Sequence, residues 1–348
     1  MSHPEGRTLA FAESPVQLLN ILEWAHVADA GEVTVIVLPP HDPTTRGQLR
    51  RMAQLAGDEG VRVLWREARG GAVTPSRALA ALAGPVRRAE RLVIGDPFSR
   101  YLQLLLSVSP PRDITVVDDG TATMEFIVQL ARGERLVRWH RPASRGARAA
   151  LFAPVARRAV RRMTPAAGRG VEVFSAMPVE APPGVTVTEN TFAWTRARFG
   201  PPRIARGADL VGTSLVETGV VREDDYLAAV SWLARTHGVA RYFAHRRESG
   251  EKLRRVASEA GVEIVRPDLP LELVARRGPI GARLLSFPST VVHTLPRVLA
   301  GTAVDVAVCD VSEAWFTERA SPRAGGFLSA VAGTARGAQR LASLPAPP

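Results

Sequence analysis

Apolar residues in the first third of the chain fall in short runs separated by longer stretches of mixed polarity. Thr8 to Ala12, Val33 to Leu38, Val61 to Trp65, Arg91 to Ile94 and Ile114 to Val117 are such runs, and each predicts a strand. The stretches between them, Pro15 to Ala28, Thr45 to Ala56, Pro75 to Arg88 and Tyr101 to Val108, predict helices. Strands that alternate with helices imply a parallel sheet covered by helices on both faces. In sheets of this kind ligands sit beyond the carboxyl ends of the strands.

The pattern changes between about Pro178 and Gly207, where Ala181-Pro182-Pro183-Gly184 and Gly200-Pro201-Pro202 punctuate the chain. This is the best linker candidate, with one strand, Val185 to Thr188, inside it. Alternation then resumes. Strands are expected at Ala208 to Val211, Ala240 to Ala244, Val262 to Val265, Arg283 to Phe287 and Val304 to Cys309. Helices are expected at Asp224 to Thr236, Gly250 to Ala260, Leu271 to Ala275 and Ser289 to Leu299. Beyond Leu341 the tail is rich in Ala and Pro and is expected to be loose. No short internal repeat is visible. We expect two α/β domains, residues 1–200 and residues 201–348, each large enough for its own core.

Composition narrows this only a little. Of 348 residues, 46% are hydrophobic, an ordinary share for a globular chain. No apolar run reaches the ~20 residues that span a bilayer. Met1 to Arg7 is polar and unlike a secretory leader. Cys309 is the one cysteine, which excludes an intrachain disulfide and a multi-cysteine zinc site. A reducing, cytoplasmic compartment is expected. The formal charge is +11, and nearly all of the positive charge is arginine; Lys252 is the only lysine. Arg145, Arg148, Arg157, Arg158, Arg161 and Arg162 surround the apolar Leu151, Phe152, Val155, Val160 and Met163. Residues 145–163 therefore read as a basic amphipathic segment, broken at Pro154, with a solvated helix face as the plain alternative. Peripheral contact with an anionic membrane at its inner face, or with an anionic glycan, is what this segment suggests. Nucleic acid is not expected, because no recognised motif accompanies the arginines.

Chemistry gathers at the predicted strand ends. After the first strand, Ser14 is a suitable N-cap, Pro15 suits the first helical position and Gln17 completes a capping box. A helix start in the cleft could also meet a sugar hydroxyl or carboxylate. Gly95 and Asp96 follow another strand; Asp96 could accept from sugar hydroxyls, or simply cap a turn. Ile114 to Val117 runs into Asp118-Asp119-Gly120. Adjacent carboxylates repel, so one can be held near neutral pKa and serve as a general base. A plain Asp-Gly turn is the alternative. In the second half, His245 beside Arg246 and Arg247 suits an anionic ligand such as phosphate. Ser289 and Thr290 at a helix start make a phosphate site without a glycine-rich loop. Gly212, Thr213 and Ser214 could add backbone and hydroxyl contacts. Glu272 could bind ribose hydroxyls, or be a surface helix glutamate.

The order Ser-Pro-x-Gln, Asp-Asp-Gly, His, then a hydroxyl pair resembles the bacterial lipooligosaccharide sialyltransferases and polysialyltransferases. The resemblance implies the GT-B fold, two Rossmann-like parallel-sheet domains facing a central cleft. It implies an inverting glycosyltransferase that uses CMP-sialic acid, without a metal or other cofactor, on a saccharide or glycolipid acceptor. It implies Asp118 as the base, His245 as a phosphate contact and acid, and Ser289 and Thr290 as phosphate ligands. Residues 1–200 would then carry the acceptor and the base, and residues 201–348 the nucleotide sugar. Two departures stand out. The family's His-Pro pair reads His245-Arg246, and its Ser-Ser pair reads Ser289-Thr290. The donor could therefore be a different CMP-linked sugar acid. The absence of an Asp-x-Asp triplet weakens a UDP- or GDP-sugar route, which stays open together with an epimerase and a non-catalytic binding protein of the same fold.

Overall fold

The computed structural model describes residues 8–67, 74–108, 111–136, 138, 147–322 and 324–341. It divides into two compact units, Met1–Trp194 and Thr195–Pro348. The tail beyond Leu341 lies outside the described residues.

The first unit runs β1 (Thr8–Ala12), α1 (Pro15–Val27), β2 (Val33–Val37), α2 (Pro43–Asp58), β3 (Arg62–Trp65), α3 (Thr74–Arg88), β4 (Arg91–Ile94), α4 (Arg100–Val108), β5 (Asp113–Val117), α5 (Ala122–Ala131), α6 (Ala147–Arg162), β6 (Val171–Ser175) and β7 (Val185–Glu189). Its sheet has the order β3-β2-β1-β4-β5-β6-β7, and every pairing is parallel. The strand order reverses between β1 and β4, which is the switch point where ligands of such sheets bind. β1 is buried along its whole length, because helices cover both faces. Phe11, Ile36, Ile94 and Val116 from the strands pack with Leu102, Leu105 and Phe126 from the helices into one core.

α7 (Ala193–Arg198) crosses the division, and the second unit then runs β8 (Ile204–Val211), α8 (Glu223–His237), β9 (Val239–Phe243), α9 (Gly250–Ala260), β10 (Glu263–Val265), α10 (Leu271–Arg277), β11 (Ile280–Ser286), α11 (Val291–Val298), β12 (Asp305–Cys309), a short 3-10 turn at Glu313–Trp315, α12 (Ala324–Gly333) and β13 (Ala338–Leu341). The parallel sheet is ordered β10-β9-β8-β11-β12-β13, with its switch point between β8 and β11. Both units are thus Rossmann-like, as the alternating pattern implies.

Several details differ from the sequence reading. α5, β6, α7, α12 and β13 fall where no element was expected. β6 is short, next to the edge strand β7, and its apolar run of Val171, Val173 and Phe174 is too brief to stand out from the arginine-rich stretch before it. β8 begins at Ile204, four residues earlier than expected. Its first part crosses Gly207, whose φ of 89° is open to glycine and strained for other residues. The largest correction concerns the basic segment. α6 continues through Pro154 rather than breaking there. Proline removes one backbone donor, but α6 packs against α4, and Ala156, Ala159, Val160 and Met163 are buried in the core. Arg157, Arg158 and Arg161 point outward. The apolar side of this helix is therefore already used inside the protein. Arg145 and the side chain of Arg148 lie outside the described residues.

Candidate functional site

Each unit gathers polar side chains at the carboxyl ends of its strands beside its switch point. The N-terminal cluster is built on three strand ends, β1, β4 and β5. Ser14 caps α1 by accepting from the Gln17 backbone N–H at 3.3 Å. The Gln17 side chain does not complete a standard capping box. Its Oε1 accepts from the Glu13 backbone N–H at 2.7 Å, one residue earlier than the box requires. This leaves the amide Nε2 to donate to Asp119 Oδ1 at 2.9 Å. Gln17 can lie there because Gly95, at the end of β4, has no side chain. A Cβ at that position would stand 2.5 Å from Gln17 Cγ.

The two aspartates after β5 point in opposite directions. Asp118 is 2% exposed and turned into the protein. Its Oδ1 accepts from the Ser175 hydroxyl at 2.5 Å and its Oδ2 from the Ala176 backbone N–H at 2.5 Å. Its backbone carbonyl accepts from Asn20 Nδ2 at 3.0 Å, and Asn20 is held in turn by Asn190. The side chain of Asp119 keeps 15% exposure. Besides Gln17, it meets Arg138, whose Nη2 lies 2.6 Å from Asp119 Oδ2 and 2.9 Å from Asp96 Oδ2. The guanidinium also lies over the Phe98 ring, 5.3 Å from its centroid. The turn closes through Gly120, whose φ of 68° favours glycine. Burial pushes the Asp96 carboxyl above its ordinary range; the charge of Asp119 adds to this and Arg138 opposes it.

Gln17, Asp96 and Asp119, singled out separately in the sequence, are thus brought together, with Ser14 at the base of the same helix. Arg138 and Phe98 complete the group. Nothing local in the sequence marks Arg138 apart from the many other arginines, and the signal is visible only in three dimensions.

The C-terminal cluster is built on β8 and β9. Gly212 and Thr213 follow β8, and His245 follows β9. Glu248 ties them together. It accepts from the His245 backbone N–H at 2.6 Å and the Tyr242 hydroxyl at 2.6 Å, and it pairs with Lys252 Nζ at 2.8 Å. Burial pushes Glu248 above the ordinary carboxylate range, while Lys252 pulls it back. The side chains of Glu248 and Lys252 are both at 0% exposure. None of Glu248, Lys252, Tyr226 or Tyr242 was expected as part of a site. A sole lysine in an arginine-rich chain is the one sequence signal that could have drawn attention to the group.

The His245 ring accepts from the Arg247 backbone N–H at Nδ1, 3.2 Å away, which assigns its proton to Nε2. Burial, with Arg246, Arg247 and Lys252, holds its pKa down to about 3. His245 is therefore a neutral hydrogen-bond donor at neutral pH. Ser214 accepts at its carbonyl from Thr218 in the loop after Thr213.

The Ser289-Thr290 pair is placed differently from a simple cap. α11 begins at Val291, and neither hydroxyl caps it: Thr290 makes no side-chain cap bond, and Ser289 Oγ lies 3.3 Å from Ser286 Oγ. Glu272 is no surface residue. It is 3% exposed, accepts from the Thr294 hydroxyl at 2.7 Å, and is pushed above its ordinary range by burial. Among the described residues no three His, Cys, Asp or Glu side chains gather closely enough to hold a metal ion, and no helix is long and apolar enough to cross a membrane.

No family model matches the sequence, and no curated protein matches it. Solved structures do. An α/β-galactoside α-2,3-sialyltransferase from Photobacterium phosphoreum matches with a TM-score of 0.52 over 97% of this chain and 99% of that one, at 7% identity. A Listeria monocytogenes structure described as a UDP-N-acetylglucosamine 2-epimerase also gives 0.52, over 97% of this chain and 92% of that one, at 11% identity. This is the GT-B fold. At such low identity the likeness carries the fold and says nothing about the substrate. The two clusters therefore have to be read on their own chemistry.

Proposed function

We propose that this chain is an inverting glycosyltransferase that moves a sugar acid from a CMP-linked donor to a saccharide or glycolipid hydroxyl. The observation that supports it most is the orientation of Asp119. Among the paired aspartates it is the one whose carboxylate reaches the switch-point edge of its sheet, braced by Gln17 and Arg138. A carboxylate has about four acceptor positions, so two hydrogen bonds leave room for a third partner. Asp118, the base implied by the family resemblance, has both oxygens committed inside the protein. We therefore assign the base to Asp119 and a supporting role to Asp118.

In this reading Asp119 takes the proton from the acceptor hydroxyl, whose oxygen attacks the anomeric carbon. The bond from that carbon to the CMP phosphate oxygen breaks, and its electron pair leaves with the phosphate. Ser14, Gln17 and Asp96 bind the acceptor. His245 donates from Nε2 to the departing phosphate, acting as a neutral donor rather than as an imidazolium acid. Arg246, the Gly212-Thr213-Ser214 loop, Ser289 and Thr290 bind the same phosphate, and Glu272 accepts from the ribose hydroxyls. The reaction as written needs no cofactor, so transfer is expected to survive EDTA. With the apolar face of α6 buried, any contact with an anionic membrane goes through its exposed arginines alone.

The test is a melting screen with CMP, UDP and GDP, followed by transfer from CMP-sialic acid. A ligand present at 100 times its Kd stabilises the folded state by about 2.7 kcal/mol. A shift with CMP and transfer that vanishes in Asp119→Asn support the reading. A shift with UDP or GDP alone replaces the donor. Binding without any turnover leaves a non-catalytic nucleotide-binding protein.

A further inference from the structure

The Glu248–Lys252 pair is sealed from solvent, yet nearly every polar atom around it is engaged. Lys252 has three donor hydrogens, and its Nζ has three oxygen neighbours: Glu248 at 2.8 Å, the Thr213 carbonyl at 3.1 Å and Glu217 at 3.4 Å. It also lies 4.2 Å from the Tyr226 ring centroid. The Tyr226 hydroxyl meets the Tyr242 hydroxyl at 2.8 Å and accepts from the Thr213 backbone N–H at 3.2 Å. Thr213 is therefore held at both its N–H and its carbonyl. Gly212 is packed so closely that a Cβ there would meet Glu248 Oε2 and Tyr242 Oη. Glu248 holds the other loop by the His245 N–H.

One polar atom of this group stands apart. Thr213 is 4% exposed, and its Oγ1 has no hydrogen-bond partner. A buried hydroxyl left unpaired is costly, and its neighbours show that this region otherwise satisfies its polar groups. A buried ion pair is itself poor evidence of stabilisation, since apolar residues of similar size often serve as well. What such a pair does supply is fixed geometry.

We propose that Glu248 and Lys252 are positioning residues that lock the ends of β8 and β9 together, so that the Thr213 hydroxyl and the His245 ring are presented to the phosphate of a nucleotide. This rests on the reading of the C-terminal unit as the nucleotide side.

The experiment is titration calorimetry of the full chain with CMP, UDP and ADP, and with the matching nucleoside that lacks the phosphate. Two variants are compared with the wild type. Glu248→Gln with Lys252→Met removes both charges, while the glutamine can still accept from His245 and donate to Tyr242. Thr213→Val removes only the unpaired hydroxyl and keeps the shape. Each is expected to weaken nucleotide binding about tenfold or more while nucleoside binding changes little, with Thr213→Val melting no lower than wild type. A merely structural pair would weaken both ligands alike or neither. Wild-type affinity for the nucleotide in both variants overturns the proposal. If the double variant does not fold, Thr213→Val decides alone. If the wild type binds UDP or ADP in place of CMP, the donor reading falls, and the comparison is made on that nucleotide. A wild type that binds none of the three overturns both.

Discussion

Replacing each aspartate of the Asp118-Asp119 pair by asparagine should have opposite consequences. In Asp118→Asn neither orientation of the amide satisfies its neighbours. With the NH2 toward Ala176, two donors face each other across a contact that is 2.5 Å in the native protein. With the NH2 toward Ser175, that hydroxyl must accept from both the amide and the Met177 N–H, and its own hydrogen loses its acceptor. One buried donor is left unpaired either way, at about 1–3 kcal/mol, and the strength added by a charged acceptor is lost as well. The sum is about 3 kcal/mol. For a unit of this size each kcal/mol lowers the melting temperature by about 2–4 °C, so the N-terminal unit should melt about 6–12 °C lower. Asp119→Asn removes a partly exposed contact, and Arg138 keeps Asp96. Its melting temperature should move by about 3 °C or less, while turnover falls by about 10²–10⁴ with loss of the base. Scanning calorimetry and a CMP-release assay measure the two effects. An Asp118→Asn protein that melts like the wild type but is inactive, beside an active Asp119→Asn protein, refutes the assignment.

Three further outcomes follow from the geometry. Gly95→Ala places a methyl group on Gln17, at a cost of about 1–3 kcal/mol, and should reduce turnover by freeing Asp119; activity equal to wild type with unchanged melting would mean that Gln17 does not matter. His293 is 1% exposed, its Nε2 has no partner, and burial with Arg297 holds its pKa down to about 4. A lowered pKa adds stability that is full above the unfolded value near 6.5 and is lost as pH falls toward 4. Urea unfolding should therefore show a loss of up to about 3 kcal/mol over that window, and His293→Leu should flatten the slope; an equal slope in the variant rejects this source. Glu272→Gln keeps the bond from Thr294 but removes a carboxylate, so CMP should bind more weakly while a ligand lacking ribose hydroxyls is unaffected, as titration calorimetry would report.

The fold was legible because its signal is local. Short buried strands such as β1 and β2, punctuated by helix starts like Ser14-Pro15, carry their meaning within about ten residues. β6 and β13 lack such contrast, and β6 in particular is strand-like mainly because β5 and β7 flank it. The strand-end positions of Gln17, Asp96 and Asp119 were also readable, since a parallel sheet directs its loops to one edge. Which aspartate faces outward was not. That depends on Ser175 and Ala176, some 57 residues away in sequence. Arg138 escaped for the same reason, because Asp96 and Asp119 come from the ends of other strands; Glu248 and Lys252 are close in sequence, but their burial against Thr213 and Tyr226 is not written there. For Glu272 the surface alternative fails, although a glutamate at a helix start is usually exposed, because the hydroxyl of Thr294 on the next helix gives its buried carboxyl a partner.

Lys252 is the only side-chain amine in the chain, and it is closed off completely in the folded state. An acylating reagent that attacks neutral amines can reach it only when the C-terminal unit opens. The rate of that single modification, followed by mass spectrometry, would count those openings directly, with no engineered label. Nucleotide bound near Thr213 should slow the count, giving a native clock for how often this half of the molecule comes apart and for which ligands keep it shut.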